Sequence, residues 1–308
     1  MIERPSATAA FLSFLFGLLC LMASPFLAGL LALTSIRPGV FATLLYAAAL
    51  DGVAFAVPAL LYYRRHTAIW SSLRLRRLDP LCAVLTVFAA FLGVLALSWL
   101  SLYWSLLLNA LGISADTGAG FLPRTPQELY LSLATTAVVP ALVEELLFRG
   151  LLLPSLEKLG RWPAVLASGI LFALPHARLM ALPAHLLLGI LLGWLVLLTG
   201  NLYASMLFHG VYNAAIILSA YFFTTPSADA GGLPAIKEAL DVLPIAVILL
   251  GAFLLLSYAA MERGRNKGRD PLPAPARLPL TAREKSLLAL SLLLLTVHLF
   301  STYAGVYA

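Results

Sequence analysis

Charged residues are scarce in this sequence. Only 11% of its 308 residues are Asp, Glu, Lys or Arg, whereas 61% are hydrophobic, and the mean hydropathy is +0.95. A soluble domain averages roughly 25% charged and about 45–50% apolar residues. The composition therefore excludes an ordinary soluble domain and predicts a polytopic membrane protein, with membrane lipid as an expected partner. The net charge of +6 indicates basic loops beside the membrane rather than nucleic-acid binding.

Cysteine and internal repetition are also scarce. The two cysteines, Cys20 and Cys82, both lie in apolar runs, so the sequence predicts neither a disulfide framework nor a cysteine metal site. No internal repeat is visible, which weighs against the repeat architecture of many transporters. We expect one transmembrane domain over residues 1–308 and no second domain.

Long apolar stretches are abundant, and most reach the roughly 20 residues that a helix needs to cross a bilayer. The predicted fold class is therefore all-α, a polytopic transmembrane bundle of about eight or nine membrane helices. The fifth and sixth stretches are short, and a helix in the fifth would end inside the bilayer near Pro175 and His176. The nine stretches cover residues 8–35, 40–63, 80–108, 127–153, 162–176, 182–198, 202–224, 240–260 and 286–306.

Basic residues concentrate in segments that share one membrane side if the nine stretches alternate. Segment 64–79 carries five Arg against one Asp, and segment 262–285 carries seven basic against three acidic residues. This bias predicts a cytoplasmic N-terminus and a basic cytoplasmic loop at 261–285. The compact basic loops favour a bacterial inner membrane. Two turns with a single arginine, one of them at Arg178, do not fit the scheme.

Three ionisable residues, Glu144, Glu145 and Arg149, interrupt an apolar run. A charge at the bilayer centre costs ~2.5–3.5 kcal/mol on insertion scales, so such groups are expected to face the protein interior and to have a structural or functional role. Glu145 and Arg149 are four residues apart, share a helix face and can pair. Glu144 is rotated by about 100° from Glu145 and has no basic partner three or four residues on. It is therefore available as a general base.

Two further polar clusters lie in apolar runs. In "FALPHAR", Phe172 and His176 are one turn apart, and in "LFHGVYN", His209 and Asn213 share one helix face. At ~1.5 Å per residue, Glu144 and His176 both lie about 21–22 Å from the basic turn between their helices. Together these residues form a candidate constellation for water activation or metal binding.

Three other polar residues receive plainer interpretations. His185 begins the sixth stretch and is interpreted as a packing or turn residue. His298, in the last stretch, is interpreted as structural. Asp51 is a lone membrane acid, interfacial or hydrogen-bonded, and is assigned no role.

The motifs E-E-x-x-x-R, F-x-x-x-H and H-x-x-x-N occur in this order over about residues 127–218. They resemble the CPBP family of intramembrane CAAX proteases and bacteriocin-processing enzymes, often catalogued as Abi proteins. The sequence matches the family pattern at every motif position. The resemblance implies a CAAX-protease-like catalytic core at 127–218 within the larger bundle.

The resemblance implies a peptidase that cuts peptide or protein substrates within or beside the membrane, lipid-modified ones among them. Glu144 would activate the attacking water, and His176 would assist it. His209 and Asn213 would hold the water or form the oxyanion site. A base for water and donors for the oxyanion are what amide hydrolysis requires.

The resemblance also implies supporting roles. Glu145 and Arg149 would form a structural pair that orients the helix, and Phe172 would pack beside the pocket.

Metal dependence stays open at this point. A catalytic zinc needs about three protein ligands and a water, and Glu144, His176 and His209 could provide the ligands of a metalloprotease. Asn213 is a poor zinc ligand and a good oxyanion donor, which favours a metal-free glutamate mechanism.

Two other classes of function remain compatible with the sequence. The same Glu, His and Arg residues could relay protons in a transporter. Alternatively, the chain could be a non-proteolytic membrane-binding protein, such as an immunity protein or a scaffold. Replacement of Glu144 by Ala would separate these classes. The sequence indicates neither the substrate nor the oligomeric state.

Overall fold

The computed structural model describes residues 4–32, 39–66, 72–113, 122–223, 241–267 and 277–304. Every regular element in these ranges is helical, so the predicted all-α bundle is confirmed. The helices are α1 (Ala7–Ala32), α2 (Val40–Arg65), α3 (Pro80–Ala110), α4 (Pro126–Leu159), α5 (Arg161–Ala173), α6 (Leu182–Thr199), α7 (Leu202–Phe223), α8 (Leu243–Lys267) and α9 (Ala282–Ala304).

Eight of these helices are long and apolar enough to cross a membrane within the described ranges. The exception is α5, whose 13 residues extend only about 20 Å against a hydrocarbon core of roughly 30 Å. Large apolar side chains such as Phe88, Ile248 and Phe300 are exposed on the outer surface, where lipid would cover them. The chain is therefore an integral membrane protein.

The predicted boundaries differ from the observed ones mainly at the basic loop. Helix α8 continues to Lys267 and α9 already begins at Ala282, so segment 261–285 is not a loop throughout. The early start of α9 has a local cause. The hydroxyl of Thr281 accepts a hydrogen bond from the Glu284 amide at 3.3 Å, and the Glu284 carboxylate accepts one from the Thr281 amide at 2.8 Å. This capping box fixes the first turn of a helix.

Some predicted segments extend beyond the described residues. These are residues 33–35, 224, 240 and 305–306 of the apolar stretches, and 67–71 and 268–276 of the basic segments.

The basic segments meet at one end of the bundle, called here the basic end. Glu157 accepts hydrogen bonds from Arg4 and Arg74. Two ion pairs join further elements there, Asp79–Arg263 at 2.9 Å and Lys158–Glu284 at 2.7 Å. The Leu278 amide also donates a hydrogen bond to the Lys158 carbonyl at 2.9 Å. The alternation inferred from the charge pattern therefore matches the arrangement of the helices.

Helices α5 and α6 form a pair that leaves the basic end and returns to it. The end of α4, at Glu157, and the start of α7, where the Leu202 amide donates to the Arg74 carbonyl at 3.0 Å, both lie at the basic end. Two short 3₁₀ turns, Leu174–His176 and Leu179–Ala181, connect α5 to α6. The fifth stretch therefore stops at Pro175 and His176, as expected from its length.

The α5–α6 pair is held by direct backbone contact. A Cβ atom placed on Gly189 would lie 3.0 Å from the Cα and carbonyl oxygen of Gly169 and 3.0 Å from Cδ1 of Phe172. Only glycine permits so close an approach of two helices. This contact fixes the position of Phe172, and with it the end of α5.

Three π-helical turns interrupt α2 and α4, at Gly52–Ala56, Leu133–Val138 and Leu146–Leu152. Asp51 directly precedes the first turn, and Glu145 directly precedes the third. Single π turns inside α-helices are frequent at functional sites, because they rotate the following residues relative to the preceding ones.

Candidate active site

The four residues predicted to be catalytic line one cavity of about 660 Å³. Glu144 comes from α4, His176 from the turn after α5, and His209 and Asn213 from α7. Parts of α1, α2, α3 and α6 complete the wall. The structure therefore brings together side chains from three separate motifs. Their catalytic roles remain predictions.

Glu144 is buried, and the buried Oε2 atom has no hydrogen-bond partner among the described protein groups. A buried carboxylate without a partner carries a desolvation cost that a purely structural residue would avoid. The cavity side of this carboxylate is therefore the side on which a water or a substrate group would meet it.

Glu145 has a different environment, although it is the next residue in the chain. Its side chain is fully buried, and Oε1 accepts hydrogen bonds from Nη1 of Arg149 at 2.8 Å and from Nδ1 of His209 at 3.1 Å. The pairing of Glu145 with Arg149 agrees with their predicted shared face. The contact with His209 adds a link from α4 to α7 that the sequence did not indicate.

Arg149 joins three helices. Its Nη2 donates to the Gly189 carbonyl on α6 at 2.9 Å, and its guanidinium lies 4.3 Å from the centre of the Phe172 ring on α5. A cation over an aromatic face is stabilised by the ring quadrupole. Arg149 therefore ties the helix that carries Glu144 to the helix pair that carries His176.

Phe172 lies between the two motif histidines. Its ring centre is 5.0 Å from that of His176 and 5.7 Å from that of His209. The Nδ1 atom of His176 is 2.8 Å from the Phe172 carbonyl, which can only accept, so Nδ1 carries the proton. In the neutral ring, Nε2 is then an acceptor available to the cavity.

Asn213 follows His209 by one turn of α7 and is half-buried. Its Nδ2 donates to the Thr136 carbonyl at 3.3 Å. The amide group has a second N–H, which this contact leaves for the cavity. Thr136, in a π turn of α4, also lines the cavity, so the contact fixes the amide against the wall.

The sequence reasoning assigned no place in the site to three charged or histidine residues of the cavity wall, namely Asp51, Arg178 and His185. The rings of His185 and His176 are only 4.4 Å apart, and Nδ1 of His185 lies 2.9 Å from the Ala181 carbonyl. The interpretation of His185 as a packing or turn residue agrees with its contact with Ala181 but was incomplete, because the ring also lines the cavity. A lone polar residue in an apolar run was the available signal, and Asp51 gave the same signal.

His298 also lies nearer to the site than its place in α9 indicated. Its Nε2 is 3.3 Å from the Pro175 carbonyl, directly before His176. This contact agrees with the structural role predicted for His298. The His298 side chain contacts the turn after α5.

The zinc ligand set permitted by the resemblance is not assembled. Among the described residues, no three side chains of His, Cys, Asp or Glu are grouped closely enough to hold a metal ion. The described residues therefore do not form a three-ligand zinc site, and we derive no step through a metal.

The fold and the cavity define a class, that of polytopic membrane proteins with a carboxylate, histidines and an amide gathered in one interior cavity. Residues 126–215 match the family described as type II CAAX prenyl endopeptidase Rce1-like. They therefore form an Rce1-like domain, consistent with a CPBP family intramembrane protease, and the resemblance based on the three motifs is confirmed. A search of curated proteins gave no match. A search of solved structures also gave none.

The match supports a peptidase, and in general a CAAX-type intramembrane endopeptidase. Its limits, 126–215, agree closely with the segment 127–218 that carries the motifs. All four candidate catalytic residues fall inside it.

Proposed function

We propose that this protein is an intramembrane endopeptidase that hydrolyses peptide bonds of membrane-associated or lipid-modified peptides, with Glu144 as the general base. The observation that carries the proposal is the meeting of Glu144, His176, His209 and Asn213 around one cavity inside a bundle of membrane helices. The match of residues 126–215 to a prenyl endopeptidase family supports the reaction class.

The proposed reaction begins with a water molecule beside Glu144. The carboxylate takes a proton from the water while the water oxygen bonds to the carbonyl carbon of the scissile amide. Nε2 of His176 accepts the second hydrogen bond of the water and orients it. The carbonyl oxygen becomes an oxyanion, and a tetrahedral intermediate forms.

The oxyanion needs donors fixed before the reaction starts. The free N–H of Asn213 is one, because the other N–H of that amide is held by Thr136. His209 is the second in its doubly protonated form, with Nδ1 donating to Glu145 and Nε2 donating to the oxyanion. The C–N bond then breaks, Glu144 gives its proton to the leaving amine, and the products are a carboxylic acid and an amine.

A metal-free glutamate mechanism is part of the proposal. The basis is the donor set, because the described residues form no group of three metal ligands and Asn213 is a donor rather than a zinc ligand. We further propose a bacterial inner-membrane location with the basic end facing the cytoplasm, because the basic segments gather at that end.

The test is peptide cleavage by the protein reconstituted in liposomes. A peptide library with and without lipid modification is incubated with the native protein and with the Glu144→Gln variant, and products are identified by mass spectrometry. We expect the native protein to cleave a subset of peptides and the variant to be at least ~10²-fold slower, the usual contribution of a general base.

Glu262→Gln is the matched control. Glu262 lies at the basic end and pairs with Arg265 at the surface, so this change leaves the cavity intact and cleavage unchanged. Equal cleavage by the native protein and the Glu144→Gln variant would contradict the proposal. Proton flux into the same liposomes is measured alongside cleavage. If Glu144→Gln abolished proton flux and left cleavage unchanged, the result would instead favour a proton relay.

A further inference from the structure

Asp51 is an acid on the cavity wall to which the proposed reaction assigns no role. It lies on α2, and its side chain is half-buried. Among the described residues, its carboxylate forms no hydrogen bond and no ion pair. Glu145, by contrast, is paired with Arg149 and His209. Asp51 therefore lacks the partners that a structural acid inside a membrane protein requires.

The position of Asp51 in the bundle makes this unpaired acid costly. At ~1.5 Å per residue, Asp51 lies about 21 Å along α2 from Arg65, which belongs to the basic segment 64–79. Glu144 lies at a similar distance from Lys158 along α4. Both acids are therefore far from the basic end, at a depth where a charge is unfavourable unless it faces a polar cavity and serves a function.

Helices α2 and α4 bring Asp51 close to Glu144. The π turn Gly52–Ala56, which directly follows Asp51, packs against Val139–Glu145, the segment that carries Glu144. The two carboxylates lie close enough to repel each other electrostatically. This repulsion disfavours the state in which both acids are ionised, so the pair readily holds one proton. The cavity of about 660 Å³ also has room for water beside them.

Amide hydrolysis requires two proton transfers at different atoms of the reacting groups. A base removes a proton from the water that attacks the carbonyl carbon, and an acid protonates the nitrogen as the C–N bond breaks. A single carboxylate would have to serve both atoms from one position. Two acids on one cavity wall, of which one holds a proton, can divide these transfers between them.

We propose that Asp51 is the general acid that protonates the leaving amine. This inference rests on the proposed function and adds a further catalytic residue, which lies outside the matched segment 126–215. Protonated Asp51 gives its proton to the nitrogen while the C–N bond breaks and the oxyanion returns to a carbonyl. The Asp51 carboxylate then receives, directly or through cavity water, the proton that Glu144 took from the attacking water. The net transfer is from Glu144 to the amine, and both acids return to their starting states.

The experiment compares the best-cleaved peptide of the library with an analogue in which sulfur replaces the scissile N–H. A thiol has a pKa of about 8.5, so a thiolate leaves without a proton, whereas an amide nitrogen must be protonated to leave. In full-length Asp51→Asn in liposomes, we expect kcat for the amide to fall at least ~10²-fold, as loss of a general acid does. The thioester kcat should stay near the native value, and KM should change little for both substrates.

Three further variants complete the comparison. Asp51→Glu keeps a carboxyl group and should recover part of the amide rate. Glu144→Gln should slow the amide and the thioester alike, because attack by water precedes departure of either leaving group. Asp241→Asn is the matched control, since Asp241 is exposed and lies outside the cavity, and it should leave both rates unchanged.

Equal slowing of the amide and the thioester in Asp51→Asn would overturn the inference, because a packing defect acts on both substrates. An unchanged amide rate in Asp51→Asn would also overturn it and would leave the proposed protease intact. Absence of any cleavage by the native protein would refute the proposed function, and with it the role of Asp51. The two failures are therefore distinguishable.

Discussion

Nδ1 of His209 lies 3.1 Å from Oε1 of Glu145, and the same oxygen accepts a hydrogen bond from Nη1 of Arg149 at 2.8 Å. Glu145 therefore fixes the ring of His209 and leaves Nε2 as the nitrogen available to the cavity. The neighbouring Glu144 accepts no hydrogen bond from a described protein group at either oxygen, whereas Glu145 lacks a partner only at its buried Oε2. Two adjacent glutamates thus have different physical environments, one paired within the protein and one directed to the cavity.

Replacement of each glutamate by Gln should separate these environments. Glu145→Gln leaves the buried Arg149 without its carboxylate, and removal of one partner of a buried ion pair costs about 3–5 kcal/mol of unfolding free energy. Glu144→Gln removes a charge that forms no hydrogen bond or ion pair with a described protein group, so we expect a Tm equal to or above the native value. Thermal unfolding in detergent, followed by circular dichroism, measures both.

Equal destabilisation by the two replacements would show that Glu144 belongs to the same ion-pair network as Glu145. That result would remove the physical basis for treating Glu144 as the available base.

The contact of α5 with α6 gives a second prediction. Gly189→Ala places a methyl group 3.0 Å from two backbone atoms of Gly169, and backbone atoms cannot move aside cheaply. We expect a loss of about 1–3 kcal/mol from overpacking. Activity should fall as well, because α5 carries Phe172 and ends at His176. Unfolding and peptide cleavage are measured on the same preparation.

Gly251→Ala is the matched control, since a Cβ atom at Gly251 in α8 meets nothing within 4 Å. Alanine is better than glycine inside a helix by roughly 0.5–1 kcal/mol, so this variant should be at least as stable as the native protein. A similar loss in both variants would indicate that close packing of α5 on α6 is not the cause.

The sequence predicted contacts within single helices well. Glu145 and Arg149 pair because residues four apart share a face, and His209 and Asn213 line one cavity for the same reason. The end of α5 near His176 was predicted from the shortness of the fifth apolar stretch and from Pro175, which cannot continue a helix. These inferences depend only on helix periodicity and chain stiffness, which are local properties.

Contacts between different helices could not be predicted from the sequence. His185 meets His176 only because two 3₁₀ turns, with Ala177 in a left-handed conformation, fold the chain back. Asp51 reaches the cavity from α2, far earlier in the chain. The position of such residues depends on how helices pack, and the apolar stretches contain no periodic signal for it.

Metal removal gives a third prediction. Exhaustive chelation of the purified protein should leave peptide cleavage unchanged, because no three-ligand set is assembled among the described residues and Asn213 is a hydrogen-bond donor. Cleavage and bound metal are measured before and after chelation. Loss of cleavage that returns on addition of Zn²⁺ would contradict the metal-free part of the proposal.

His185 gives a fourth prediction, because its ring lies 4.4 Å from that of His176 and its Nδ1 is fixed by the Ala181 carbonyl. We expect His185 to position the catalytic ring. His185→Ala should lower kcat by roughly 10–100-fold with little change in KM, the size of effect that misplacement of a catalytic group produces. His185→Phe should restore the packing but not kcat, whereas His66→Ala, at an exposed position outside the cavity, should change neither constant.

Full activity of the Phe variant would show that His185 acts by packing alone. Because both rings donate Nδ1 to backbone carbonyls and keep Nε2 free, an unrestored kcat would assign the effect to the imidazole nitrogen.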